Sequence, residues 1–215
     1  MTEPILHHYP PSPVSEKVRV VLGFKGLSWR SVTIPRIPPK PKLMPLTGGF
    51  RLTPVMQIGA DIYCDSLCII RELEARYPVP TLFPDGEQGL AWGLARWTDG
   101  EFFKTVLSAV FSDGLDHMPE GFAEDRIGLY FGGADTVEEM KARLPADLAA
   151  LRAMFGWIED ALDGREFLNG ASPGLADALG YYLAWFLRGR FSGGRDLLGQ
   201  FPRLLAWEQT IKNIG

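Results

Sequence analysis

The chain has 215 residues, of which 46% are hydrophobic and 22% charged, with a formal net charge of −4. The length and these fractions fit a globular protein of one large or two small domains. The negative net charge argues against binding of nucleic acid, and the presence of only two cysteines excludes a disulfide-dense scaffold. Residues 1–20 contain no apolar stretch of the signal-peptide kind, and no apolar run approaches the roughly 20 residues of a membrane span, so we expect a cytoplasmic location.

The first part of the chain follows a β-α-β pattern. Ile5–Tyr9 is predicted to be a short strand, and the apolar spacing within Ser15–Lys25 predicts a helix. Trp29–Ile34 alternates like a second strand, and a loop rich in proline and lysine follows at residues 35–45.

A predicted hairpin comes next and leads into a helix. Val55–Ile58 and Ile62–Cys64 favour strands, separated by a turn at residues 59–61. Pro54 belongs at the first residue of its strand, because proline cannot donate a ladder hydrogen bond, and it is a candidate for a cis peptide bond. Asp65 and Ser66 stand where the following helix begins, and they offer a carboxylate, a hydroxyl and unpaired N–H groups.

The remainder of the chain is predicted to be helical. Residues 78–84 form a proline-rich linker, which divides the chain into residues 1–80 and residues 87–215. Helices are predicted at Leu90–Phe111, Thr136–Leu162, Leu175–Leu187 and Leu204–Ile211. Residues 113–133 are rich in glycine and acidic side chains and are interpreted as a loop over a cleft.

The combination of Thr53-Pro54 before the hairpin and Asp65-Ser66 after it resembles the thioredoxin-like N-terminal domain of the glutathione transferase superfamily. The resemblance implies an α/β thioredoxin-like domain followed by an all-α domain, with glutathione as co-substrate and no metal. It implies that Thr53 and Pro54 bind the cysteinyl backbone of glutathione. Asp65 and Ser66 would hold its γ-glutamyl end, although an ordinary helix cap would also explain Asp65.

The family also supplies a basic or amide side chain for the glycyl carboxylate of glutathione. The resemblance assigns this role to Lys42 and Arg51, whereas Lys40 is interpreted as part of a solvated basic loop.

The segment between the first strand and the first helix resembles the serine pattern of theta- and zeta-like transferases. The resemblance places Ser12 at the position that activates the thiol, and Ser15 at the helix cap. Tyr9 is the competing candidate, since other classes use a tyrosine there, and Pro-Ser-Pro is also compatible with a plain turn. The segment contains no cysteine, which disfavours a mixed-disulfide mechanism.

The implied activity is attack of the glutathione thiolate on a small apolar electrophile, in a homodimeric enzyme. Trp97, Phe103 and Phe111 are candidates for the electrophile pocket. Two alternatives stay open: a non-catalytic glutathione-binding or interaction protein of the same fold, and a specialised glutathione-dependent isomerase, dehalogenase or ether-cleaving enzyme.

Neither the cysteines nor the histidines predict a metal site. Cys64 and Cys68 are spaced like small buried apolar residues, and His7 and His8 point to opposite faces of one strand. His117 has no ligand-type neighbours in the sequence.

One motif in the helical half also resembles the family. In the family, a serine or threonine caps a buried helix three residues before an aspartate. In this chain Gly174 occupies that capping position before Asp177. Asp177 can still accept a bond from the amide of the capping residue, which predicts half of a capping box with a structural role.

Overall fold

The computed structural model describes residues 3–84, 86–115, 118–133 and 135–214. Within these ranges, one mixed sheet has the order β2-β1-β3-β4, with β1 parallel to β2 and the other neighbours antiparallel. Its strands are β1 (Ile5–His8), β2 (Arg30–Thr33), β3 (Val55–Ile58) and β4 (Asp61–Cys64). Two helices complete this half of the chain, α1 (Pro13–Phe24) between β1 and β2, and α2 (Ser66–Arg76) after β4.

The second half of the described chain is helical. Its helices are α3 (Gln88–Trp97), α4 (Phe103–Ser112), α5 (Phe122–Phe131), α6 (Val137–Ala161), α7 (Leu175–Arg190), α8 (Gly194–Leu198) and α9 (Pro202–Ile214). The thioredoxin-like first part and the helical second part confirm the predicted fold class. None of the described helices combines the length and apolar character needed to cross a membrane.

The helix predicted at Leu90–Phe111 is interrupted. A π-helical turn, Thr98–Phe102, joins α3 to α4, and the backbone of Gly100 leaves helical geometry there (φ −101°, ψ −108°). Residues 98–101 are Thr-Asp-Gly-Glu, so the apolar spacing is interrupted between Trp97 and Phe102, and the prediction of one continuous helix passed over that interruption.

The prediction of a loop at residues 113–133 is wrong for the second half of that segment. Phe122–Phe131 forms α5, which is bounded by Gly121 and Gly132, both in left-handed conformation (φ 75° and 70°). The prediction failed because the glycines here terminate a helix, a role for which they are well suited, and do not mark a continuous loop. Residues 116 and 117, including His117, lie outside the described ranges.

The start of α7 is fastened to the segment that links the two halves. The Asp177 carboxylate accepts a bond from the Gly174 N–H (2.9 Å), as the half capping box predicts, and further bonds from the Leu168 N–H and the Trp207 indole N–H. The Leu82 carbonyl accepts the Leu175 N–H (2.8 Å). A Cβ atom on Gly174 would lie 2.8 Å from that carbonyl oxygen, so close packing explains why no hydroxyl cap is present.

Candidate functional site

A cleft lies between the two halves, at the N-terminal ends of α1 and α2. Side chains from both halves line it. From the first half these include Tyr9, Ser12, Lys40, Thr53, Pro54, Asp65 and Ser66, and from the second half Asp99, Phe103, Lys104, Arg126 and Tyr130. Residues far apart in the sequence thus meet in one place, among them five of the predicted site residues.

Ser12 is buried and caps α1. Its hydroxyl oxygen accepts a bond from the backbone N–H of Ser15 (3.2 Å) and another from the Ser15 hydroxyl (3.0 Å). The expectation that Ser15 is the cap is therefore wrong, because the helix begins one turn earlier, at Pro13, which suits a first helical position. With two donors on its oxygen, Ser12 keeps its own proton to donate into the cleft.

Asp65 and Ser66 form the acidic-hydroxyl pair at the start of α2. Asp65 is the N-cap, and its Oδ1 accepts the Leu67 N–H (2.8 Å). Its backbone has φ 76° and ψ 135°, a conformation that costs a non-glycine residue of order 1–3 kcal/mol and is concentrated at functional sites. Ser66 is buried beside it, and no described residue forms a hydrogen bond with the Ser66 hydroxyl. One carboxylate oxygen and one hydroxyl thus stay available at a helix N-terminus.

The Thr53-Pro54 peptide bond is cis. Within the described chain, the backbone N–H and C=O of Thr53 form no hydrogen bond, so they are free to pair with a ligand. The Thr53 hydroxyl accepts a bond from Lys40 Nζ (3.1 Å), which also donates to the Arg51 carbonyl (2.8 Å).

Lys40 lies on the cleft wall, whereas the two basic residues assigned to the glycyl carboxylate do not line the cleft. Lys40 is 2% exposed, so its interpretation as part of a solvated loop is wrong. Burial, followed by the charges of Arg126 and Arg51, lowers the pKa of Lys40 to about 8. Lys42 is exposed, and Arg51 pairs with Asp125 (2.7 Å). Spacing in a loop sequence cannot show which of its lysines turns inward.

Tyr9 and Arg126 meet in the wall of the cleft. Arg126 is buried and donates to the Tyr9 hydroxyl (3.2 Å), to the Arg36 carbonyl and to Asp125 (2.8 Å). Tyr9 therefore lines the cleft, so both candidates for thiol activation remain within it. Sequence reasoning missed Arg126, because it lies on α5, where a loop was predicted.

A fully buried lysine forms an ion pair with Asp99, which lines the cleft. Lys17, from α1, donates to both carboxylate oxygens of Asp99 (2.7 Å each), and the Tyr182 hydroxyl donates to the same carboxylate (2.8 Å). Burial lowers the pKa of Lys17, and the Asp99 charge opposes that shift. The pair joins the first helix to the π-helical turn, so it holds the cleft's two sides together.

An apolar pocket adjoins the cleft and shares Tyr9, Pro13, Phe103, Arg126 and Tyr130 with it. Its remaining lining includes Leu107, Val110, Phe111, Leu115, Met118, Phe122 and Phe186. Phe103 and Phe111 thus lie where an electrophile pocket is predicted. Trp97 does not, because it packs against Phe102 and Trp157 elsewhere in the helical half.

Cysteines and histidines do not cluster in this region. Among the described residues, no group of three potential metal ligands occurs. Cys68 is exposed, contrary to the expectation that both cysteines are buried. His8 donates or accepts at Ser31 (2.7 Å) and faces Arg19 (2.9 Å), so it is held by neighbours of its own sheet and helix.

A thioredoxin-like sheet followed by a helical domain, with a cleft between them at two helix N-termini, defines the class of glutathione-binding transferase folds. Family comparisons agree: the glutathione S-transferase N-terminal domain matches residues 6–87 and the glutathione S-transferase C-terminal domain matches residues 141–209. The chain belongs to the glutathione S-transferase superfamily.

Three individual relatives illustrate this membership, and one of them is not named as a transferase. A crystal structure of a glutathione S-transferase-like protein from Pseudomonas syringae is 38% identical and superposes with a TM-score of 0.72, covering 100% of this chain and 68% of that one. A probable glutathione S-transferase of Oryza sativa subsp. japonica is 25% identical over 94% of this chain and 80% of its own length. The FtsZ-localized protein A of Caulobacter vibrioides is 27% identical over 81% of this chain and 73% of its own.

Proposed function

We propose that the chain is a glutathione transferase-like enzyme that activates the glutathione thiol for attack on a small apolar electrophile. The observation that carries the proposal is the convergence of Ser12, Thr53, Pro54, Asp65 and Ser66 on one cleft, beside an apolar pocket. The proposed enzyme is cytoplasmic and homodimeric, as is usual for the superfamily.

The polar groups of the cleft match the groups of glutathione. The free N–H and C=O of Thr53 suit the cysteinyl backbone, and Asp65 with Ser66 suits the γ-glutamyl ammonium and carboxylate. Lys40 supplies the cation for the glycyl carboxylate, in place of Lys42 and Arg51, because Lys40 lines the cleft and its ammonium has one N–H beyond its two protein acceptors.

Ser12 is proposed as the thiol-activating residue. A free thiol has a pKa of about 8.5 and is mostly protonated at neutral pH, whereas the thiolate is the nucleophile. Ser12 would donate its hydroxyl proton to the sulfur, and the N-terminus of α1 would add positive potential. The Ser15 N–H and O–H polarise the Ser12 hydroxyl by donating to its oxygen, which makes it a better donor.

Calorimetry with glutathione tests the binding half of the proposal. We expect saturable binding by the wild type and a loss of about tenfold or more in Ser66→Ala, because a charged carboxylate loses a hydrogen bond. Ser28→Ala is the matched control, since Ser28 is exposed and is not one of the residues that line the cleft. If the wild type does not bind glutathione at millimolar concentrations, the proposal is contradicted.

Ultraviolet absorbance of the bound thiolate tests the catalytic half. Titration of the glutathione complex should show a thiol pKa below the free value in the wild type and one close to that value in Ser12→Ala. If Tyr9→Phe raises the pKa and Ser12→Ala does not, Tyr9 is the activating residue.

A non-catalytic interaction protein is the second candidate. It is favoured by the relative named FtsZ-localized protein A, whose name describes localisation and no reaction. Glutathione binding with an unshifted thiol pKa would favour this candidate over the enzyme.

A further inference from the structure

The apolar pocket beside the cleft has an unusual charge distribution. Three arginines line it, Arg36, Arg126 and Arg190, whereas no carboxylate does so among the described residues. The rest of its lining is apolar apart from the hydroxyl groups of two tyrosines. An electrophile without a negative charge would not use the hydrogen-bonding capacity of these guanidinium groups.

The charge of Arg126 is balanced, but the other two arginines are not balanced within the described chain. Arg126 pairs with Asp125 (2.8 Å), and Asp125 is shared with Arg51. Arg36 is half-buried, and its Nη1 faces only the Met118 sulfur (3.5 Å), which is a weak acceptor. Arg190 is exposed at the end of α7, and no described carboxylate lies within ion-pair distance of it.

The surroundings reinforce this positive potential. Lys40, Arg51 and Arg126 are close enough together that the two arginines help to lower the pKa of the lysine. Asp125 is the acidic partner of both arginines, so this wall of the cleft carries more positive than negative charge. An anion entering the apolar pocket would therefore meet an attractive field.

We propose that the second ligand of this protein is an apolar organic acid, whose aromatic or aliphatic body fills the pocket and whose carboxylate or sulfonate faces Arg36 and Arg190. A guanidinium group suits this role because its planar donors match the oxygens of a carboxylate or sulfonate. The inference rests on the proposed function only where it treats this ligand as the electrophilic substrate.

A matched pair of fluorescent probes tests the inference without any catalytic readout. 8-Anilino-1-naphthalenesulfonate is anionic, and N-phenyl-1-naphthylamine has the same aromatic body without the sulfonate. In R36Q/R190Q we expect the dissociation constant of the sulfonate to rise about tenfold and that of the neutral probe to change by less than about twofold. R36K/R190K keeps both charges but loses the planar donors, so its sulfonate affinity should lie between those of the wild type and R36Q/R190Q. R152Q is the control, since Arg152 is exposed on α6 outside this pocket.

Two results would overturn the inference. One is an unchanged sulfonate affinity in R36Q/R190Q, and the other is an equal loss for both probes, which would indicate a damaged pocket and no recognition of charge. Glutathione calorimetry on the same variants separates the two proposals. A wild type that binds glutathione but has no preference for the sulfonate over the neutral probe contradicts only this inference, whereas a wild type that prefers the anion but does not bind glutathione contradicts only the proposed function.

Discussion

Lys40 shows how much a single side chain in this cleft depends on its surroundings. Its ammonium is buried against two protein oxygens and near two arginines, and its pKa of about 8 lies well below that of a free lysine. Since the pKa is lowered, the charged form dominates below about pH 8 and is lost as the pH rises through that value.

We expect the affinity for S-methylglutathione, which has no ionisable thiol, to fall as the pH rises through about 8. The physical reason is that neutral Lys40 no longer attracts the glycyl carboxylate. Calorimetry over a pH series measures the effect. In Lys40→Arg the decline should move to higher pH, and in Lys40→Gln affinity should be about tenfold lower with no decline at this pH. A decline of the same midpoint in Lys40→Gln would assign it to another group.

His8 provides a second pH-dependent effect, on stability. It is 3% exposed between Ser31 and Arg19, and burial, followed by the charges of Arg19 and His7, lowers its pKa to about 4. Because Arg19 donates to Nδ1, the neutral ring carries its proton on Nε2 and donates it to Ser31.

The folded state therefore disfavours protonated His8. Its contribution to stability is complete above the unfolded-state pKa of about 6.5 and is lost as the pH falls toward about 4, up to about 3 kcal/mol. Urea unfolding across this range should show a steeper fall in the free energy of unfolding for the wild type than for His8→Gln. Equal slopes would mean that His8 does not titrate with the lowered pKa.

Close packing against Leu82 and Pro84 restricts the residue type at the N-cap of α7. The Gly174 N–H bonds to Asp177, and Leu82 approaches so closely that a Cβ on Gly174 would meet its carbonyl oxygen at 2.8 Å and Pro84 Cδ at 3.0 Å. Both neighbours are rigid, one a backbone carbonyl and the other a proline ring, so neither can move away cheaply.

Gly174→Ala should lower the free energy of unfolding by about 1–3 kcal/mol, as overpacking does. Gly189→Ala is the matched control in the same helix: its added Cβ would meet nothing within 4 Å, and the change should be neutral or stabilising by up to about 1 kcal/mol. Chemical denaturation of the two variants measures both effects. Equal effects would show that the linker can shift away from α7.

The helix α5 illustrates what an element contributes to the site. It carries Arg126 and Tyr130, which line the cleft, and Phe122, which lines the apolar pocket. Burial raises the pKa of Tyr130 to about 12, so its hydroxyl is neutral at physiological pH. The cleft wall on this side is therefore a helix with fixed side chains.

Across the full chain, the two halves share one hydrophobic core in which α1 contacts α7, and the Lys17–Asp99 pair crosses the same boundary. Lys17 is fully buried, whereas the Asp99 side chain is 27% exposed toward the cleft. A continuous core predicts that the halves unfold together in one cooperative transition.

A double-mutant cycle on this pair tests the coupling. Lys17→Met should cost about 3 kcal/mol, because it leaves Asp99 without its cation, and Lys17→Met/Asp99→Asn should cost clearly less than the sum of the single changes. The exposed pair of Arg30 and Glu3 is the comparison, and Arg30→Gln should cost less than about 1 kcal/mol. Additive effects for Lys17 and Asp99 would show that the pair does not couple the halves.

The sequence predicted those parts of the fold and site that depend on residues close together in the chain. The hairpin depends on alternation and a glycine turn, and the acidic N-cap of α2 on neighbours within three residues. Two predictions failed: the single helix across Gly100, where the structure separates α3 from α4, and Ser15 as the cap of α1, where the structure has Ser12. The cap was misplaced because a shift of a few residues barely alters an apolar pattern.

The sequence by itself determined the order of the four strands with α1 and α2, the family and the residues that begin α2, because each depends on local spacing and on backbone preferences of proline, glycine and aspartate. Only the tertiary structure decided that Lys40 faces the cleft in place of Lys42 and Arg51, that Arg126 and Asp99 join it, and that arginines surround the apolar pocket. These contacts join residues many positions apart, and their free energy comes from burial and charge that exist only after the chain has folded.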